Sequence, residues 1–131
     1  MSRENVDLYL RAIDAYNRRD LDAFLALMDE NVEAESRFAA IEGGYHGHAG
    51  IRAWWENLLE ALPDINVEVM EVRDLGHLTL AAVRLRGHGA DSDTPFEQVM
   101  WQPGDWRDRK LVWWATCPTE AEALEAVGLR E

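Results

Sequence analysis

Cysteine is nearly absent. Cys117 stands alone among 131 residues, so no internal disulfide can form and a reducing cytoplasm is the expected compartment. No run approaches the ~20 consecutive apolar residues of a membrane span, and Met-Ser-Arg-Glu-Asn is not the start of a secretory signal; no membrane partner is expected. Positive charge is scarce too: 13 Lys and Arg oppose 25 Asp and Glu, for a formal net charge of -12. Such a surface repels phosphate backbones, so no nucleic-acid partner is expected. Repeats, linkers and low-complexity segments are missing as well. Length and an apolar fraction of 47% fit one domain spanning residues 1–131.

What is plentiful is tryptophan. Six in so small a chain point to a wide aromatic interior, a subunit interface, or both. Two of them lie in the segment 43–63, GGYHGHAGIRAWWENLLEALP, where a glycine- and histidine-bearing loop runs into an apolar stripe. Ile51, Trp54, Trp55, Leu58, Leu59 and Leu62 recur at i, i+3, i+4, i+7, i+8 and i+11, the pattern of an amphipathic helix. Before it, the spacing predicts helices over 3–18 and from Leu21 to Met28, with Asp20 as N-cap of the second. A short strand is expected over 32–38. After it come four strand-like runs, 65–74, 78–87, 94–102 and 110–117, with turns at Asp74-Leu75-Gly76-His77 and Pro103-Gly104-Asp105. Short links make consecutive strands antiparallel. Thr119-Glu120-Ala121-Glu122 opens a last helix as a capping box, and Gly128 stops it. The order α-α-β-α-β-β-β-β-α is an α+β fold, with helices gathered on one face of a curved antiparallel sheet.

With this order laid out, the chain resembles the SnoaL-like branch of the nuclear transport factor 2-like superfamily. The resemblance rests on Asn17-Arg18-Arg19-Asp20-Leu21-Asp22 between the first helices and on residues 45–55 leading into the third. A third motif is the tail from Glu122 to Leu129. It implies a cone, a bent sheet wrapped on three N-terminal helices around an apolar cavity, usually in a homodimer that meets through the convex sheet face. It does not choose among the isomerases, cyclases, dehydratases, epoxide hydrolases and non-enzymatic binders that share the fold. Ketosteroid isomerases in this superfamily use a carboxylate base, a helix tyrosine and a protonated aspartate; by motif those positions fall near Ser36, Ala12 and Gln98, with Glu97 in place of Gln98 if the register slips by one. None of the three roles is kept in kind, because serine has no base of its own and glutamine donates no proton in catalysis.

The remaining candidates for chemistry are Arg84, Arg86 and His88, which alternate along one strand and share a face with Leu80 and Ala82. Facing inward they would make a cationic end, with His88 as acid or base; facing outward they are a solvated surface. His46 and His48 lack a third ligand at a recognised spacing, only Asp91 and Asp93 being at hand, so no metal is expected, and no cofactor is implied. For the pocket, alternation places Trp114, Thr116 and Val112 inside and Trp113 outside as a dimer contact, with Trp101 beside it. Trp55 is the cavity-facing tryptophan of its helix and Trp54 core; Trp106 sits at an extended hairpin tip, as a dimer contact or an exposed aromatic. The expected wall is Trp55, Trp114 and the Ser36 strand, with Gln98, Met100 and Tyr16. Gly43–Gly50, carrying Tyr45 and His46, is the expected gate. The leading reading is a domain that binds an apolar or planar small molecule. A cofactor-independent isomerase, cyclase or hydratase-type enzyme on an apolar carbonyl-bearing or polycyclic substrate is the alternative, and a dimeric module with a vestigial pocket a third.

Overall fold

The computed structural model describes residues 3–37 and 44–130. The chain opens on α1 (Glu4–Asn17), which buries Val6, Leu8, Tyr9, Ala12, Ala15 and Tyr16 along one side and carries Glu4 and Asp7 in its first turn, where acidic groups suit the helix dipole. Arg19 then takes a left-handed conformation, φ 62°. Its guanidinium donates to the carbonyls of Tyr16 (3.1 Å), Pro63 (3.2 Å) and Ile65 (2.6 Å), tying this turn to the far end of the third helix. Asp20 caps α2 (Leu21–Ala26) by accepting from the Ala23 N–H at 3.1 Å.

The second helix stops short of Met28, because the chain there joins the sheet: β1 (Met28–Ser36) begins opposite Leu111, whose N–H donates to the Leu27 carbonyl at 2.9 Å. The last residue of the expected strand, Phe38, lies outside the described residues. Next come β2 (Gly44–His46), α3 (Gly47–Ala61), β3 (Asn66–Leu75), β4 (Leu78–His88), β5 (Pro95–Arg107), β6 (Lys110–Thr116) and α4 (Glu120–Gly128). Thr119 caps α4 by accepting from the Glu122 N–H at 3.2 Å.

The strands form one curved, open sheet in the order β2-β1-β6-β5-β4-β3. Most pairs are antiparallel, but β1 and β6 run parallel, Glu33–Ser36 against Trp113–Thr116. The expectation of a wholly antiparallel sheet is corrected here. Short links dictate the pairing of consecutive strands only, and β1 is separated from β6 by α3 and the whole β3–β5 meander.

The turn expected at Pro103-Gly104-Asp105 is also corrected. β5 runs straight through it, and Pro103 pairs with Leu80 of β4. On the other side, β6 pairing is interrupted between the Trp101–Cys117 bridge and the Gly104–Trp114 pair, where proline has no N–H to give. The chain reverses at Asp108-Arg109 instead, both at positive φ (50° and 66°) between the paired Arg107 and Lys110, the geometry of a two-residue hairpin loop. Trp106 is therefore no exposed tip residue. It is buried, and its indole N–H donates to Thr79 Oγ1 at 3.0 Å.

Two cores result. The inner one joins α1, α2 and α3 to the concave face through residues such as Leu8, Phe24, Ile51, Val83 and Leu111. The outer one is smaller: Ala123 and Ala126 of α4 cover Leu80, Trp113, Ala115 and Cys117. Trp113 is thereby buried under its own chain, with its N–H on Glu35 Oε1 at 3.1 Å and the Arg130 guanidinium 4.6 Å over its ring. The bare surface that motivated a dimer contact there is absent. Val112, expected inside, packs outward as well; a bulge opposite Asp105 and Trp106 turns it over and places Leu111 in the inner core. Asp105, almost fully buried, accepts from Arg107 Nε (2.9 Å) and Arg130 Nε (2.9 Å), with His77 Nδ1 at 3.0 Å. This cluster fastens the end of the chain to the sheet.

Candidate functional site

Between α1, α3 and the concave face lies a cavity of about 290 Å³. Its floor is built by β5 and β6. Alternate residues of β5, Phe96, Gln98, Met100 and Gln102, point into it, and Trp114 and Thr116 of β6 stand beside them. Tyr9, Ala12, Ile13 and Tyr16 of α1 form one wall; Trp54 and Leu58, one turn apart on α3, form another. At the closed end sit the buried Trp106 and Gly104. A Cβ on Gly104 would come within 3.1 Å of Leu111 Cδ1 and 3.4 Å of Thr79 Oγ1, so a side chain there would crowd that end. At the other end Phe96 is 37% exposed, and Gln98 and Leu58 are half-buried.

The aromatic wall is a connected cluster. Trp54 meets Trp114 edge-on with ring centroids 5.3 Å apart and lies parallel to Phe24 at 6.0 Å. Trp55 is the tryptophan behind the wall, against Tyr16 (4.8 Å) and Phe24 (5.0 Å) and 5% exposed. The expected assignment of the two is thus reversed: Trp55 shares its helix face with the fully buried Ile51, whereas Trp54 and Leu58 form the neighbouring stripe that the cavity leaves uncovered.

Polar groups are few. The Tyr9 hydroxyl donates to Gln102 Oε1 at 2.7 Å, which turns the amide N–H₂ of Gln102 toward Met100 Sδ at 4.0 Å. Gln98 donates to its neighbour's carbonyl, Val99 O, at 2.8 Å. The Tyr16 hydroxyl is buried and makes no hydrogen bond with any described residue. Burial raises both phenols: Tyr9 goes well above the ordinary range, and Tyr16 is pushed up to about 12, with Arg19 opposing the rise. Both are hydrogen-bond donors at neutral pH. Among the described residues lining the cavity there is no carboxylate, imidazole, guanidinium or ammonium group.

The charged candidates lie elsewhere. Leu85 pairs with Gln98 and both face the cavity, so Arg86, paired with Glu97, faces out together with Arg84 and His88. Arg84 and Arg86 reach Glu68 (3.5 and 3.8 Å), and Arg86 Nε donates to Glu97 at 2.9 Å. His88 Nδ1 lies 2.8 Å from Asp64 Oδ2, and its backbone N–H donates to Oδ1 of the same carboxylate at 2.7 Å. That hydrogen bond raises the imidazole's pKa and lowers the carboxylate's. His88, Arg84 and Glu97 are therefore corrected from catalytic candidates to surface ion pairs.

Ser36 lies opposite Thr116 but outside the cavity wall, in a shallow second hollow with Ala34, Tyr45 and His46. The expected gate is corrected too. Its first residue, Gly43, lies outside the described residues, but Gly44–His46 is an edge strand on β1 and Gly47 opens α3 with φ 69°. A Cβ on Gly44 would sit 2.7 Å from the Ala34 carbonyl oxygen, so that glycine serves a close backbone approach. Neither Tyr45 nor His46 reaches the cavity, and the two loop histidines part: His46 is 3.6 Å from Glu33, and His48 Nε2 is 3.0 Å from the Met28 carbonyl. Of the expected pocket residues, the structure brings together Trp114, Gln98, Met100 and Tyr16. It adds Trp54, Tyr9 and Gln102, the last of which continues the Gln98–Met100 alternation and was readable from it.

The family model of the SnoaL-like domain matches residues 9–114. The chain belongs to the SnoaL-like family. Solved structures agree with its fold. A nuclear transport factor 2-like protein of unknown function from Burkholderia pseudomallei K96243 is 17% identical, with TM-score 0.80 over 95% of this chain and 97% of its own. A candidate SnoaL-like polyketide cyclase from Jannaschia sp. CCS1 is also 17% identical, with TM-score 0.80 over 96% and 94%. TerC, co-crystallised with polyporic acid, is 17% identical with TM-score 0.79 over 95% and 98%. No functionally curated protein matches the sequence. Among the described residues of this SnoaL-like chain, no helix is long and apolar enough to cross a membrane.

Proposed function

We propose that this SnoaL-like protein binds a small, flat, uncharged molecule in the cavity between α1, α3 and the concave face. The observation that carries the reading is the lining itself: among the described residues, aromatic and aliphatic walls around about 290 Å³ whose polar groups are phenols, amides, indole N–H groups and one threonine. That volume sits at the low end of ordinary ligand pockets, which suits about two or three fused rings. A ring held against Trp54 and Trp114 would gain roughly 1 kcal/mol per aromatic contact beyond its buried area. A proton-transfer enzyme needs a base near the reacting carbon, and the described residues of the lining include no carboxylate or imidazole; this favours binding over isomerisation or cyclisation. The names of the Jannaschia and TerC relatives, a candidate polyketide cyclase and a protein crystallised with polyporic acid, support a cyclic organic ligand.

The test is a titration of intrinsic tryptophan fluorescence with naphthalene, fluorene and anthracene. Trp54→Ala and Trp114→Ala should each weaken binding by roughly tenfold, from lost stacking and lost apolar area. Parent-like affinity in both variants would place the ligand elsewhere.

A further inference from the structure

The open end of the cavity lies between two elements, with Leu58 on the α3 side and Phe96 of β5 on the other. Phe96 pairs with Gly87 of β4, so the turn from β4 to β5, residues 88–94, carries that side of the mouth. The turn is closed on itself: the Gly89 N–H donates to the Thr94 carbonyl at 2.9 Å, and the Asp93 N–H to the Gly89 carbonyl at 3.0 Å. Two attachments tie it to the α3 side. The Ala90 N–H donates to the Ala61 carbonyl at 3.1 Å, close to one helical turn beyond Leu58. Asp64 accepts from the His88 backbone N–H at 2.7 Å and stands 2.8 Å from His88 Nδ1. Gly87 allows this approach, because a Cβ there would come 3.0 Å from Asp64 Oδ1. The α3 side is the fixed one, since Arg19 donates to the Pro63 and Ile65 carbonyls on either side of Asp64. The turn is the side free to move: its internal bonds travel with it, and residues 90–96 are exposed.

We propose that the Asp64–His88 contact is a clasp on the cavity mouth: it holds the β4–β5 turn against the end of α3 and sets how fast a ligand passes between Leu58 and Phe96, without touching the bound molecule. The inference rests on the cavity being a ligand site. The clasp is strongest when a cationic His88 faces the Asp64 carboxylate. The hydrogen bond to Asp64 favours that form, and the charge of Asp93 on the turn adds to it. Arg86, two residues back on the same strand face, is engaged by Glu68 and Glu97. As pH rises through the His88 pKa the ring loses its charge, the clasp weakens and exchange quickens. A clasp that is remade once the ligand has passed alters entry and exit together and leaves affinity alone.

Stopped-flow tryptophan fluorescence with fluorene reads entry and exit rates in the parent, Asp64→Ala and His88→Ala, each from about pH 6 to about pH 8.5. At about pH 6 both variants should exchange roughly three- to fivefold faster than the parent, with kon and koff raised alike and Kd within about twofold. The parent's rates should climb toward the variants' as pH rises, following the His88 imidazole titration read by NMR on the same protein. Both variants should give a flat profile. Parent-like rates in Asp64→Ala, a rise in koff alone with affinity lost, or a pH profile that persists in both variants each overturns the inference. Should fluorene bind and the rates behave in any of these ways, only this inference fails. Should fluorene not bind the parent, the cavity reading fails and takes the inference with it.

Discussion

Asp105 is a buried carboxylate that gathers Arg107, His77 and Arg130 beside the outer core. Burial alone would raise its carboxyl, but hydrogen bonds from Arg107, His77 and Arg130 outweigh that and hold it below the ordinary range. A depressed carboxylate stabilises the fold above its unfolded pKa, near 4, and that contribution is lost as pH falls through the folded value. Asp105→Asn should therefore cost about 2 kcal/mol at pH 7, through weakened charge-assisted bonds to three donors, and the gap in melting temperature between variant and parent should close below pH 4. An undiminished gap at pH 3 would show that the loss is one of packing. His88 behaves in the opposite sense: its raised imidazole favours the fold below about pH 6.5, and this is lost as pH rises through the folded value. At this scale the sequence was informative wherever a role is local. Asp20 and Thr119 cap their helices as their spacing requires. It was misleading for Trp54 and Trp55, neighbours about 100° apart on one helix, because both belong to its apolar stripe and only the assembled fold buries Trp55 with Ile51 and leaves Trp54 half-buried at the cavity.

Among the elements, β4 explains why the charged candidates could not be placed beforehand. Alternation puts Arg84, Arg86 and His88 on one face and Val83 and Leu85 on the other, but says nothing about which face is the cavity's. The usual arbiter, an apolar face against a polar one, fails: α4 covers one side of the strand's first half and the helices the other, so Leu78 to Val83 are buried without a break. The β5–β6 hairpin misled for a different reason. Pro103-Gly104-Asp105 has the composition of a turn, yet the turn that forms is Asp108-Arg109, at a position where Asn-Gly is the favoured pair. Arg109 at φ 66° carries a left-handed conformation that glycine adopts without steric cost. Arg109→Gly should accordingly stabilise the hairpin by about 0.5–1 kcal/mol, less whatever its exposed contact with Glu4 at 2.9 Å contributes. Urea denaturation reads this directly; a loss of more than about 1 kcal/mol would mean that the ion pair, and not the backbone, governs the turn.

For the whole molecule, the stripe on α3 and the order of elements are enough to reach an α+β fold with helices on a curved sheet, because each segment's period is a local property and the short links leave β3 to β6 one antiparallel route. The cone itself is implied by the family resemblance. The parallel β1–β6 pairing lies beyond that reasoning, and it matters: it sets Met28 opposite Leu111, and both line the cavity. The cavity exists because large aromatic groups stack around it instead of filling it, with Trp106 and Gly104 closing one end and Phe96 standing at the exposed end. Binding of a neutral planar molecule in that space is the central claim, and a crystal structure of the protein soaked with 9-fluorenone tests it most directly. The account predicts one molecule inside the cone, its face against Trp54 and Trp114. Fluorenone found only in the hollow beside Tyr45 and His46, or a cavity closed by a turned Trp54 with the ligand excluded, would contradict it.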